Sequence, residues 1–129
     1  MDQNFVFLLE KCSMGNLTGS ETIDPTNNVS GCVVATSKGY PHEYKTGFPI
    51  KIRNIDSLDC QIFDSGTSFS KNGELLTDGG RVLSVVCQDK DFDVVFEKAY
   101  KNLKKINFNG IYFRNDIGHQ VRKNFSKEN

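Results

Sequence analysis

No stretch of this sequence approaches the ~18 consecutive apolar residues that a membrane-crossing helix needs. The opening residues, Met1-Asp2-Gln3-Asn4-Phe5, lack the basic segment and cleavage site of a secretory leader. The reading at this stage is a cytoplasmic protein with no membrane partner. Cysteine is sparse: Cys12, Cys32, Cys60 and Cys87 lie 20, 28 and 27 residues apart. Zinc sites favour close Cys pairs and disulfide scaffolds are cysteine-dense, so free thiols in a reducing compartment are expected. Only two histidines are present; His42 and His119 are both remote from any cysteine in sequence, and no metal site is expected in this chain. There is no Gly-x-x-x-x-Gly-Lys-Ser/Thr loop, no Gly-x-Gly-x-x-Gly and no Gly-x-Ser-x-Gly. Internal repeats and low-complexity segments are also lacking. No self-sufficient active site can be composed from what remains.

What is present suits a soluble domain. The chain has 129 residues, 37% of them hydrophobic and 10 of them Phe. A domain of this size buries roughly two-thirds of its unfolded surface. The formal net charge of zero hides an asymmetry. Residues 1–97 carry 8 Lys and Arg against 14 Asp and Glu, whereas residues 98–129 carry 8 against 2. A basic end can serve an anionic partner, and lysines late in a helix also complement its dipole. The tail has one aromatic, Phe125, and lacks the platform that single strands stack on, so no nucleic-acid partner is expected.

Local patterns divide the chain. Residues 2–15 predict a helix, with Phe5, Leu8, Leu9 and Cys12 at i, i+3, i+4, i+7 and Gly15 as its stop. That apolar face requires cover, a hint of a larger protein. Residues 13–30 read as linker. Strands are expected at Cys32–Thr36, at Ile50–Ile55 with one face buried, and at Cys60–Phe63. Asn72-Gly73 between Phe69 and Leu75 is the strongest hairpin signal. Arg81–Cys87 is the longest strand and apolar enough to be central. A helix follows from Asp89–Asp93 to about Ile106, with the stripe Phe92, Val95, Phe96, Ala99, Leu103 and Ile106. Ile111–Phe113 is a last short strand, and residues 121–129 are expected to be a flexible tail. The fold class is α+β, a small, mainly antiparallel sheet with one long packing helix.

Three glycine-flanked turns carry chemistry. Gly39-Tyr40-Pro41 offers an aromatic wall, or a turn whose Tyr packs inward. In Thr77-Asp78-Gly79-Gly80-Arg81, the glycines can supply positive φ or close backbone approach. There backbone N–H groups and a guanidinium can meet an anion; the alternative is a tight turn with a solvated Arg. Arg114-Asn115-Asp116-Ile117-Gly118 reads as a turn fixed by its own Arg–Asp pair. A lysine at the hairpin tip, Lys71, invites comparison with lipoyl or biotinyl carrier modules, but Ser70 and Asn72 stand where such modules place methionines.

The ordered set Val33-Val34-Ala35-Thr36, Gly39-Tyr40-Pro41, Tyr44, Gly47, Pro49-Ile50, Gly66-Thr67, Gly79-Gly80-Arg81-Val82-Leu83, Ala99-Tyr100 and Ile106 through Gly118 resembles the C-terminal domain of phosphoribosylamine–glycine ligases. These are also called glycinamide ribonucleotide synthetases. The resemblance covers about residues 30–120, leaves 121–129 as tail, and makes 1–29 the last helix of an ATP-grasp region plus linker. It implies that ATP activates glycine as an acyl phosphate, which the amine of 5-phosphoribosylamine attacks, in purine biosynthesis. In the family that the chain resembles, ATP and Mg or Mn are held by the ATP-grasp part and the N-terminal domain supplies much of the sugar-phosphate site, so these 129 residues alone are expected not to catalyse. No catalytic residue is assigned here. Gly79, Gly80, Arg81 and Tyr40 are the implied substrate-binding residues, and Gly39, Pro41, Gly66, Thr67, Arg114, Asp116 and Gly118 the structural ones. The chain departs from the family at Asp64-Ser65, where His-Ala is usual, at Asp78, where a small residue is common, and at Ser84, where Gly is common.

Overall fold

The computed structural model describes residues 5–19, 27–54 and 60–122. Its centre is a four-stranded antiparallel sheet ordered β3-β6-β1-β8, built from β1 (Val29–Ser37), β3 (Cys60–Asp64), β6 (Arg81–Asp89) and β8 (Ile111–Tyr112). Alternation along β1 and β6 sends Val33 and Ala35, with Leu83, Val85 and Cys87, to one face. Helix α2 (Phe92–Leu103) covers that face with Val95, Phe96, Ala99 and Leu103. Each of the Val, Phe and Leu side chains removed from water contributes about 1.5–3 kcal/mol. Gly31 of β1 lets the helix settle: a Cβ there would collide with Val95 Cγ1 and lie 3.1 Å from the Phe96 ring.

Asp91 caps α2, its carboxylate accepting the Asp93 N–H at 2.8 Å. Lys98 donates to the Asp89 carboxylate at 2.7 Å, tying the helix to the end of β6. That hydrogen bond is the main reason the Asp89 carboxyl is held below the ordinary carboxylate range. The helix is shorter than its hydrophobic spacing suggests. It ends at Leu103, and Ile106 belongs to β7 (Ile106–Asn107), paired with β2 (Lys51–Ile52). Ile106 still reaches the core at 4% exposure, so a three-residue spacing persists although the backbone has changed from helical to extended.

The hairpin at Asn72-Gly73 is present: β4 (Thr67–Phe69) pairs with β5 (Leu75–Thr77), and Gly73 takes φ +79°. The alternation expected from Ile50 to Ile55 holds only at its start. Ile50 is buried with its N–H on the Leu75 carbonyl, whereas Ile52 is 42% exposed on a two-residue ribbon. Ile55 lies outside the described residues. Helix α1 (Phe5–Ser13) buries none of its residues, and Phe5, Val6, Phe7 and Leu9 face outward.

The expectation of four free thiols is corrected. Register places Cys60 of β3 opposite Cys87 of β6, and the two are joined as a disulfide within the core. Linear spacing of 27 residues carries no information about cross-strand pairing, and the register supplies it. Cys12 and Cys32 are free and exposed. Protein unfolded without reductant is therefore expected to take up two equivalents of iodoacetamide, and four after reduction; four without reductant would contradict the pairing. No helix among the described residues is long and apolar enough to cross a membrane.

Candidate functional site

The 77–81 turn lies where three segments converge. Thr77, the buried end of β5, anchors one flank: its hydroxyl accepts the Phe48 N–H at 3.1 Å and its carbonyl accepts the Gly47 N–H. The Gly66 turn between β3 and β4 lies against the next two residues. Gly66 donates to the Arg81 carbonyl at 2.8 Å and accepts from the Asp78 N–H at 2.8 Å. A Cβ on Gly66 would lie 2.6 Å from the Gly79 Cα and 2.7 Å from the Arg81 oxygen. Across the turn, the Tyr40 ring lies on Gly80, whose Cβ would meet Cε2 of that ring at 2.7 Å. For Gly79 and Gly80 the expected positive φ is not found, whereas the expected close approach is. Gly66, Gly79 and Gly80 are all absent from the left-handed region; what each supplies is close approach to backbone or ring.

Tyr40 is shaped by its own loop. Gly39 takes φ +102°, which leaves room for the Glu43 carbonyl where a Cβ would be. The Tyr40–Pro41 peptide is cis, and Tyr44 packs edge-on at 6.0 Å between ring centroids. Half-buried between Tyr44 and Gly80, Tyr40 divides two open grooves. One, about 610 Å³, is lined by Val34, Tyr44, Ser65, Gly66, Gly80 and Ser84, with Tyr40 and Arg81 on its rim. The other, about 340 Å³ and mostly apolar, runs from the same two residues to Cys32, Tyr112, Arg114 and Ile117.

Arg81 is exposed, and among the described residues its guanidinium has no hydrogen-bond or ion-pair partner. Gly80 is buried, yet its N–H, like that of Gly79, finds no acceptor among the described residues. Adjacent unpaired N–H groups beside a fork of cationic donors form a concavity suited to an anion.

The third motif is structural. Arg114 donates from Nε and Nη2 to both oxygens of Asp116, at 2.9 and 2.7 Å. The guanidinium holds the Asp116 carboxyl below its ordinary range, and Asp116 in turn raises Arg114. The turn is fastened to α2 by Tyr100, whose hydroxyl donates to the Arg114 carbonyl at 2.8 Å and accepts the Ile117 N–H at 3.0 Å. Gly118, at φ +79°, sits where a Cβ would enter the Phe96 ring. Arg122 lies 3.5 Å from Asp93 and 6.0 Å from the centre of that ring. Burial pushes the Tyr100 phenol up, partly opposed by the Ile117 N–H. A raised value favours the protonated phenol in the fold. Its contribution is complete below the ordinary tyrosine value of about 10 and is lost as pH rises through the higher folded value. The tyrosinate absorbance of wild type minus Tyr100→Phe is expected to show a midpoint above about 10; a midpoint at or below it would contradict this environment.

Thus the structure brings Tyr40, Gly66, Gly79, Gly80 and Arg81 together and places Gly39, Pro41 and Thr67 behind them. Arg114, Asp116 and Gly118 form a separate clasp at the far end of the second groove. His119 Nδ1 lies 3.1 Å from the Asp116 carbonyl, and His42 donates its N–H to Gly39 within the Tyr40 loop. Neither imidazole lines the larger groove. Among the described residues no three His, Cys, Asp or Glu side chains converge. Lys71 lies on the tip of the β4–β5 hairpin and lines neither of these two grooves. Sequence reasoning missed Ser37, a buried polar residue that braces the turn and that no periodicity or motif marks; Thr77 is legible as the start of the turn, but its bracing role is not.

Comparison with known proteins gives a consistent result. Residues 30–120 match the family model described as phosphoribosylglycinamide synthetase, C domain. A phosphoribosylamine–glycine ligase of Caldanaerobacter subterraneus is 45% identical over 87 residues, 67% of this chain and 20% of that protein. One from Synechocystis is 38% identical over 118 residues, 88% of this chain and 27% of that protein. The crystal structure of the Thermotoga maritima phosphoribosylamine–glycine ligase superposes with a TM-score of 0.74 at 28% identity, covering 87% of this chain and 27% of that one. The chain therefore spans only between a fifth and about a quarter of the length of these two relatives.

Proposed function

Because this chain belongs to the phosphoribosylglycinamide synthetase C-domain family, we propose that it is the C-terminal portion of a cytoplasmic phosphoribosylamine–glycine ligase and that the Gly79-Gly80-Arg81 turn is one wall of its substrate site. In this reading ATP and a divalent ion are held by an ATP-grasp domain, an N-terminal domain supplies much of the sugar-phosphate site, and glycine is joined to 5-phosphoribosylamine in purine biosynthesis. Residues 1–29 are the end of the ATP-grasp region and a linker, and the outward Phe5, Val6, Phe7 and Leu9 of α1 pack on that region. Residues 30–120 form the C-terminal domain and 121–129 a tail. These 129 residues alone hold neither nucleotide nor metal and do not turn over.

One observation carries the assignment of the wall: an exposed guanidinium without a described partner, next to a Gly80 N–H that has no acceptor among the described residues, both residues lining a groove of about 610 Å³. Such a pairing supplies charge-assisted donors to a phosphate or carboxylate. The role of this turn is to seat the anionic end of a substrate and to close the groove with the Tyr40 ring, while the chemistry proceeds elsewhere. Two anions satisfy that chemistry, the phosphate of the ribosyl substrate and the carboxylate of glycine.

The test is a titration of ¹⁵N-labelled protein with ribose 5-phosphate and, separately, with glycine. Saturable shifts of the Gly80 amide and Arg81 Nε are expected with one of them and are expected to vanish in Arg81→Ala. Saturation by ribose 5-phosphate assigns the wall to the sugar phosphate, and saturation by glycine to the amino acid. No saturable shift with either would overturn the assignment.

A further inference from the structure

Ser37 is the last residue of β1, only 4% exposed, and lies beneath the turn. Its N–H donates to the Gly80 carbonyl at 2.8 Å. Its hydroxyl donates to the Gly79 carbonyl at 2.9 Å. Its own carbonyl accepts the Tyr40 N–H at 3.1 Å. One residue thus grips two consecutive carbonyls of the turn and the backbone of the aromatic that covers it.

The consequence follows from peptide geometry. In a planar trans peptide the C=O and N–H point in opposite directions. Drawing the Gly79 carbonyl onto the Ser37 hydroxyl therefore turns the Gly80 N–H away from the end of β1. A peptide flanked by two glycines has little intrinsic preference to hold that plane, because neither residue has a Cβ to restrict φ and ψ. The hydroxyl bond supplies a restraint that the glycines themselves lack.

We propose that Ser37 is a positioning residue for the anion site. Its hydroxyl fixes the Gly79–Gly80 peptide with the N–H free for ligand, and its carbonyl seats Tyr40 over the same glycine. This rests on the reading of the turn as an anion-binding wall. Ser37 touches no substrate and acts only through Gly79, Gly80 and Tyr40.

Two variants and two readouts test it. Ser37→Ala removes the hydroxyl bond and keeps the backbone one; Ser37→Thr keeps both. Without ligand, the Gly80 amide resonance is expected to broaden or split in the Ala variant and to stay single in the Thr variant. With whichever anion saturates wild type, Kd is expected to rise about 3- to 10-fold in Ala, the scale of one neutral hydrogen bond, and to stay within about twofold in Thr. A sharp, unshifted Gly80 amide and an unchanged Kd in Ser37→Ala would overturn the role of Ser37 while leaving the anion wall standing. Equal weakening in Ala and Thr would likewise remove the hydroxyl from the account. If wild type saturates with neither anion, the anion wall falls and the role of Ser37 falls with it.

Discussion

Replacing Arg81 by alanine is expected to lower kcat/KM for glycine-dependent ADP release by one to three orders of magnitude, in the ligase of which this domain is proposed to be part. A hydrogen bond to a charged group contributes about 1.5–3 kcal/mol, and about 1.4 kcal/mol corresponds to a tenfold change in rate. One such contact gives the lower end of the range and a two-pronged contact the upper. The effect should be confined to binding and rate. Arg81 is exposed and has no described partner to lose, so the denaturant midpoint should move by no more than a surface substitution does, within about 0.5 kcal/mol. Arg81→Lys keeps the charge and loses the planar fork, so its kcat/KM should fall between the two. Normal kcat/KM in a folded Arg81→Ala enzyme would make the guanidinium a bystander and move the substrate wall elsewhere.

A large loss of stability is expected from Gly66→Ala. A Cβ there meets the Gly79 Cα at 2.6 Å, the Arg81 oxygen at 2.7 Å and the Gly79 nitrogen at 2.9 Å. All three are backbone atoms, so no rotamer change can relieve the overlap, and the β3–β4 turn must lift off the 78–81 turn. Forced overpacking of this kind costs about 1–3 kcal/mol, and the backbone character of the clash puts Gly66→Ala near the upper end. That is a large share of the ~5–15 kcal/mol that holds a typical domain together. Gly73→Ala is the control: its φ is +79°, but open space surrounds it, so only backbone strain is added. Urea midpoints of the two variants decide the matter. A Gly66→Ala midpoint equal to wild type would mean that the two turns do not touch in solution. Because the same displacement removes the Gly66 N–H from the Arg81 carbonyl, anion binding should weaken along with stability.

Several elements were legible in the residues alone. Helix α2 announces itself through Phe92, Val95, Phe96, Ala99 and Leu103, because a 3.6-residue repeat needs only near neighbours to be seen. Asn72-Gly73 names its hairpin for the same reason, and the apolar run of β6 places it inside the sheet, between β3 and β1. The Arg114–Asp116 pair, two residues apart, was also readable as a self-contained turn. The ordered glycine, Tyr-Pro and Arg motifs carried the family, whose C-domain model spans residues 30–120.

The rest depends on partners that are distant along the chain. Ile106 keeps a helical spacing from Leu103 but sits on a strand, since a periodic pattern does not record where the backbone changes direction. The disulfide needs the β3–β6 register, which sets Cys60 opposite Cys87 across 27 residues. At the candidate site, the residue types Gly79, Gly80, Arg81 and Tyr40 could be named in advance, together with the possibility of an anion. Their reasons could not. Gly66 and Gly80 are small because a backbone and a ring must pass close by, and Ser37 reaches the Gly79 carbonyl across 42 residues. Local chemistry thus determined the elements and the candidate turn. Tertiary register alone decided which N–H groups of that turn are left without an acceptor among the described residues, because only the packed chain takes up the competing carbonyls.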